Sequence, residues 1–240
     1  MTNPTAAMLV IGDEILSGRT RDSNMHYLAG ELTKAGIDLR EVRVVSDDAE
    51  AIETAVRALA DAYDTVFTSG GIGPTHDDIT ADCIARAFGR AIGVRDDARA
   101  ILEAHYQRSA QELNEARLRM ARIPEGATLI ENPVSAAPGF TLENVHVMAG
   151  VPAVFQAMVA SVLPTLTGGA PLMSQTLRIM RGEGEIAGPL RTLAEDFPDL
   201  SIGSYPFQSD GVFGAQIVIR GSDGARVDAA MHRLCEAFGQ

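Results

Sequence analysis

The sequence predicts an α/β protein: a three-layer, mostly parallel sheet with helices on both faces, followed by a small α+β domain. Three observations carry this. Short apolar, β-branched runs at Met8–Gly12, Ile37–Val45 and Asp64–Phe67 alternate with longer stretches whose apolar residues recur at helical spacing. Strand followed by helix, three times over, is the pattern of parallel strands joined by crossover helices. The stretch Thr167-Gly168-Gly169-Ala170-Pro171 then reads as a linker, and the order beyond it changes to strand, helix, strand, strand, helix. The expected domains are 1–167 and 172–240.

Met8-Leu9-Val10-Ile11-Gly12 is the first central strand, with Asp13 and Glu14 at its carboxyl end. Asp22 or Ser23 caps a helix whose stripe is Met25, Leu28 and Leu32 and whose stop is Gly36. Ile37–Val45 is the second strand. Ile52, Val56, Leu59 and Tyr63 mark the next helix, with Asp47 or Asp48 near its start. Asp64–Phe67 is a buried strand, and Ile79, Cys83, Ile84 and Ala87 a helix that Gly89 ends. Asp96 to about Arg122 reads as one long helix-rich run with Asp97, Arg99 and Glu103 on its solvated face. Thr128–Ile130 and Val145–Met148 are strands, and Gly150-Val151-Pro152 opens a helix over 153–166. Between them, 132–140 holds two prolines and reads as irregular. The second domain reads as strand Ser174–Met180, helix Gly188–Phe197, strands Ser201–Tyr205 and Gly214–Ile219, and helix Ala225–Phe238.

A chain of 240 residues that is 46% hydrophobic and 22% charged can bury a sizeable core. Its net charge of −12 disfavours non-specific binding to nucleic acid and to anionic membranes. Lys34 is the only lysine, which excludes a phosphate-loop lysine. An anionic ligand must therefore be held by backbone N–H groups, a metal or a local arginine. Cys83 and Cys235 are far apart and lack metal-ligand spacing. No stretch approaches a membrane span, and Met1–Gly12 lacks the charge and apolar length of an export signal, so the expected location is cytoplasmic.

The organising stretch is Thr68-Ser69-Gly70-Gly71-Ile72-Gly73-Pro74-Thr75-His76-Asp77-Asp78-Ile79-Thr80. It lies where a strand's carboxyl end hands over to a helix, the place where open α/β sheets bind ligands. Gly70, Gly71 and Gly73 let the backbone turn sharply and bring N–H groups close to an anion. Asp77 and Asp78 point either to a bridging Mg²⁺ or water activation, or to ordinary capping in a first helical turn. Asp13 is a candidate for metal or ribose contact, or for plain turn chemistry. Neither the dinucleotide fingerprint nor the Walker spacing is met.

This stretch resembles the signature of the MoaB/Mog-type molybdopterin-binding domain, in the form carried by the amino-terminal domain of CinA-type proteins. Gly12-Asp13-Glu14-Ile15-Leu16-Ser17-Gly18 followed by Asn24 resembles the family's first motif. Asn132-Pro133 with Ala137-Pro138-Gly139-Phe140, then Ala149-Gly150-Val151-Pro152, resemble later ones. The matches run in family order over roughly residues 8 to 165. The resemblance implies ligand contacts from Gly12, Asp13, Ser17, Gly18, Asn24, Ser69, Gly70, Gly71, Gly73, Thr80, Asn132, Ala137, Pro138 and Gly139. It implies catalytic roles for Asp77 and Asp78, and Mg²⁺ on Asp13 and Asp78. For Asn24 a second helix cap is the alternative.

The implied function is binding of molybdopterin or a nucleotide through its phosphate. The alternatives are a metal-dependent pyrophosphatase acting on ADP-ribose or a related dinucleotide, and a scaffold with a vestigial pocket. Family relatives are dimers or trimers, so a homo-oligomer is expected. The second domain resembles the small KH-like domain of CinA-type proteins but lacks a basic GxxG loop, so no RNA partner is expected. The chain departs from the family at Val154, where a glutamate is usual, and at Gly182-Glu183-Gly184-Glu185-Ile186, where a Gly-rich-Glu-Ser turn is usual. It also ends before the deamidase domain of full-length CinA, and that activity is expected to be absent.

Overall fold

The first strand, β1 (Thr5–Ile11), has six buried residues in a row, because helices cover both of its faces. The computed structural model describes residues 3–209 and 211–239. Along the chain follow α1 (Asp13–Leu16), α2 (Asn24–Ala35), β2 (Asp38–Val45), α3 (Ala49–Ala62), β3 (Thr65–Ser69) and α4 (Thr80–Ala87). Next come β4 (Ile92–Val94), α5 (Asp96–Arg108), α6 (Glu115–Leu118), β5 (Arg122–Pro124), β6 (Thr128–Ile130), β7 (Gly139–Leu142), β8 (Val145–Met148) and α7 (Pro152–Val162). The main sheet has the order β2-β1-β3-β8-β7-β6. Its strands β2, β1, β3 and β8 are parallel, and β7 is antiparallel to both β8 and the edge strand β6.

Alternate residues of β1 feed two separate cores. Ala7, Leu9 and Ile11 pack with Ile52, Val56 and Leu59 of α3, Cys83 and Ile84 of α4, and Leu102 of α5. Ala6, Met8 and Val10 pack with Leu28 and Leu32 of α2 and Phe155 and Met158 of α7. Two cores on one sheet are the three layers that the strand-helix alternation predicts. Local signals agree: Asp48 caps α3 by accepting from the Ala51 amide, and Gly36 ends α2 in the left-handed region at φ 69°.

The structure differs from the sequence reading in three places. The run 96–122 is not continuous: α5 stops at Arg108, Ala110 adopts φ 53°, and the chain re-enters helix only at Glu115. The bases on either side, Ile92–Val94 and Arg122–Pro124, pair as a small antiparallel sheet. Gly139 and Phe140, read as irregular, belong to β7, where any Cβ on Gly139 would overlap the Val147 carbonyl oxygen.

The second unit begins at Ala170. It consists of β9 (Met173–Ile179), α8 (Glu183–Asp196), β10 (Ser201–Ser209), β11 (Val212–Gly221) and α9 (Gly224–Phe238), with an antiparallel sheet in the order β10-β11-β9. Ile179, Ile217 and Ile219 of the sheet bury against Leu193 of α8 and Leu234 of α9. The third difference lies here. Residues 183–186, read as a turn, form the first turn of α8, where Glu183 and Glu185 favour the positive end of the helix dipole. No helix among the described residues is long and apolar enough to cross a membrane.

Candidate functional site

The glycine turn leaves β3 and is held in shape by Thr80, the first residue of α4. Thr80 is fully buried; its amide donates to the Gly71 carbonyl (3.0 Å) and its hydroxyl to the Gly70 carbonyl (3.0 Å). The glycines are required by space. At Gly70 (φ 109°) a Cβ would overlap the Ile11 carbonyl oxygen, and at Gly71 (φ 69°) it would overlap the Thr80 hydroxyl. The helix does not have its leading amide free, because that donor is taken by the Gly71 carbonyl. The donors on offer are the loop's own. Gly70 donates to the Met148 carbonyl, while the amides of Gly71, Ile72 and Gly73 have no protein acceptor among the described residues.

Thr80→Val is expected to cost about 1–2 kcal/mol in chemical denaturation, since it leaves the Gly70 carbonyl without its donor.

The loop opens into a cavity of about 540 Å³ at the carboxyl edge of the parallel strands. Of the residues singled out in the sequence, Gly12, Gly70, Gly71, Gly73, Asp77, Asp78, Asn132 and Ala137 line it. Asn132 is 5% exposed and shapes the opposite wall: its amide nitrogen donates to Ser135 Oγ and the Ala137 carbonyl, and its oxygen accepts from the amides of Val134 and Ser135. Asn24 and Ser69 line an adjoining recess of about 60 Å³, and Pro138 a smaller one beside Gly71 and Gly73. Asp13, Ser17, Gly18, Thr80 and Gly139 are not among the lining residues of these spaces. Ser17 and Gly18 are exposed, and Asp13 takes part only through its amide, which donates to Asp47 Oδ2 (3.0 Å).

A comparison with protein families matches residues 7–168 to the family described as probable molybdopterin binding domain. The chain belongs to that family. An Archaeoglobus fulgidus protein is 36% identical over 199 residues, 83% of this chain and 84% of its own. The crystal structure of CinA from Thermoplasma acidophilum, described there as of unknown function, has a TM-score of 0.63 and 34% identity, covering 69% of this chain and 99% of that one. Residues 171–240 match the FAD synthase middle domain, where the sequence had suggested a KH type. A probable FAD synthase of Caenorhabditis elegans is 32% identical over 257 residues, 97% of this chain but 49% of its own length.

In this member of the family the cavity carries groups that sequence reasoning left out. Glu14 and Asp47 join Asp77 and Asp78 in its lining. Asp47, read only as a possible helix cap, has its carboxyl pushed above the usual aspartate range. Burial is the main cause; the Asp13 amide opposes it, and the negative charges of Asp13, Glu14 and Asp77 add to it. Asp78 Oδ2 accepts from the Thr75 amide (2.8 Å) and hydroxyl (2.6 Å), which closes the loop's far end. Among the described residues no three His, Cys, Asp or Glu side chains converge as metal ligands, and Asp13 is not brought to the cavity beside Asp78.

In the sequence, Arg119 is only one residue of the helix-rich run 96–122. It lines the small recess against Gly71, Gly73 and Asp78, and its guanidinium donates to the Asp78 carbonyl (3.2 Å) while its Nε has no partner. Val154 lies in the cavity wall, where the resemblance led one to expect a carboxylate.

Proposed function

We propose that the first unit binds a phosphorylated pterin or nucleotide, with its phosphate on the amides of Gly71, Ile72 and Gly73. The single observation that carries this is the run of three adjacent amides without protein acceptors among the described residues, in a loop that lines a cavity of about 540 Å³. Such amides favour an anion even in a protein of net charge −12, because they act at contact distance while the distant charges are screened. Arg119, beside the same loop, supplies the local cation that the shortage of lysine demands. The expected homo-oligomeric state and cytoplasmic location belong to this reading.

The test is a thermal-shift panel of pyrophosphate, molybdopterin, ADP-ribose, FAD and NAD, each with and without Mg²⁺. At least one diphosphate-bearing ligand should raise the melting temperature. Arg119→Ala should weaken its binding about tenfold, as removal of one charge-assisted hydrogen bond does. No shift with any member overturns the proposal.

The four carboxylates on the cavity wall favour a second reading, metal-dependent cleavage of a dinucleotide such as ADP-ribose. The name of the C. elegans relative adds FAD to the substrates to try. The donor set suits Mg²⁺ shared with the ligand: it offers carboxylates on one wall without a ready-made cage, and Mg²⁺ commonly takes one or two carboxylates plus phosphate oxygens. Asp77 and Asp78 would hold it, and its charge would offset that of the diphosphate. Asp47, with its raised carboxyl, is the group suited to hold a proton. On this reading Asp47→Asn and Asp78→Asn lower kcat for FAD or ADP-ribose cleavage more than they weaken binding; an absence of cleavage in the unaltered protein rejects it.

A further inference from the structure

β2 is an edge of the main sheet: β1 pairs with one side of it, and no strand among the described residues pairs with the other. The Val45 carbonyl accepts from the Gly12 amide, so Val45 turns its backbone groups towards β1. Backbone groups alternate in direction along an extended strand. Arg43 and Glu41 therefore also face β1, while Val42 and Val44 present theirs outwards, and neither amide has an acceptor among the described residues. Edges are ordinarily blunted by proline, lysine or a bulge. β2 carries no proline and no lysine, and its one irregularity is at Arg40, which has no partner in β1. From Glu41 to Val45 the register is unbroken. Val42 and Val44 pair with the buried Met8 and Val10 but are themselves 37% and 40% exposed. An open edge with exposed valines is a template for another strand.

The charges on β2 say which strand. Glu41 and Arg43 share the other face of the sheet with Ala7 and Leu9, their partners in β1, and Arg43 Nε bonds Glu41 Oε1 at 2.5 Å. Both side chains are part-exposed. If a second β2 pairs in the antiparallel sense, outward-facing residues must oppose outward-facing ones. That leaves three registers centred on this segment. A two-fold axis through Glu41 sets glutamate against glutamate, and one through Arg43 sets arginine against arginine. An axis through Val42 sets each Glu41 against the partner's Arg43, with Val42 facing the partner's Val42. The opposed charges then fall in non-hydrogen-bonded pairs, where side chains come closest.

We infer that β2 is a homodimer interface, in which two copies of this chain join their main sheets through antiparallel β2 strands about an axis at Val42. The edge is self-complementary in one register, which is what a two-fold contact requires. The inference goes beyond the phosphate reading in naming a surface, a partner and a register. It does not depend on what the glycine loop holds.

Sedimentation velocity of the full-length chain over a dilution series tests it. The unaltered protein should pass from monomer to dimer. Val42→Pro removes an amide that points away from β1, a change that an edge strand tolerates; it should abolish the dimer and leave the circular dichroism unchanged. Glu41→Arg and Arg43→Glu each oppose like charges across the axis and should each weaken dimerisation about tenfold or more. Mixed in equal amounts, those two variants should form a heterodimer about as tightly as the unaltered protein, because every arginine again meets a glutamate. A chain that stays monomeric throughout overturns the inference. So does an oligomer indifferent to all three substitutions, which assembles through another surface, and so does a mixture that fails to associate while both variants keep their circular dichroism.

Discussion

Gly70→Ala is expected to lower the melting temperature of the first unit by about 10 °C and to abolish retention of phosphorylated ligands. The residue sits at φ 109°, and an added Cβ would run into the Ile11 carbonyl oxygen of the central strand. Neither atom can give way, because Ile11 and Gly70 are fixed by the ladders of β1 and by the Gly70 amide's bond to Met148. Backbone strain of about 1–2 kcal/mol and overlap of about 1–3 kcal/mol sum to roughly 3 kcal/mol, and each costs about 2–4 °C in a unit of this size. Gly18→Ala separates the two causes. It has a positive φ of 72° but nothing within 4 Å, so only the conformational part, about 1 kcal/mol, should appear. Equal losses in the two variants, measured by calorimetry, would show that the close approach to Ile11 is not what matters.

Acid sensitivity centred on His146 is the second large effect. The ring lies in β8, 6% exposed, against Phe67 at 5.2 Å between centroids, with its Nδ1 2.8 Å from the Thr141 hydroxyl. Burial pushes its pKa down from 6.5 to about 4. A folded-state pKa below the unfolded one means that the unfolded chain takes the proton first. Stability is therefore full above pH 6.5 and falls as pH drops towards 4, by about 3 kcal/mol if that group acts alone. His146→Gln keeps a polar partner for Thr141 and removes the titration. Denaturation curves between pH 6.5 and 4 should slope more steeply for the unaltered protein than for the variant; parallel slopes would contradict the account.

Much of this fold is legible because β1, β3 and β8 are buried on both faces, which leaves unbroken apolar runs that no solvated strand would carry. The glycine loop is legible for a related reason: three glycines at a strand end have few uses besides close approach. What escaped the sequence lies off its local patterns. Asp47 looks like one of two interchangeable helix caps until the chain reversal places Asp48 on α3 and Asp47 on the cavity. Arg119 was hidden in a run rich in Ala, Arg, Glu and Gln. The break after Arg108 is made by Ala110 in the left-handed region, where no glycine announces it. Thr80 was taken for a ligand contact because it closes the motif, yet a threonine that fastens the loop from below leaves the same mark in a sequence.

The most direct test is amide chemical-shift mapping of the ¹⁵N-labelled protein during titration with pyrophosphate in the presence of Mg²⁺. The account expects the largest displacements at Gly71, Ile72 and Gly73, with Gly70, already bonded to Met148, moving less. Binding that leaves those three amides in place, and displaces signals elsewhere instead, would contradict it.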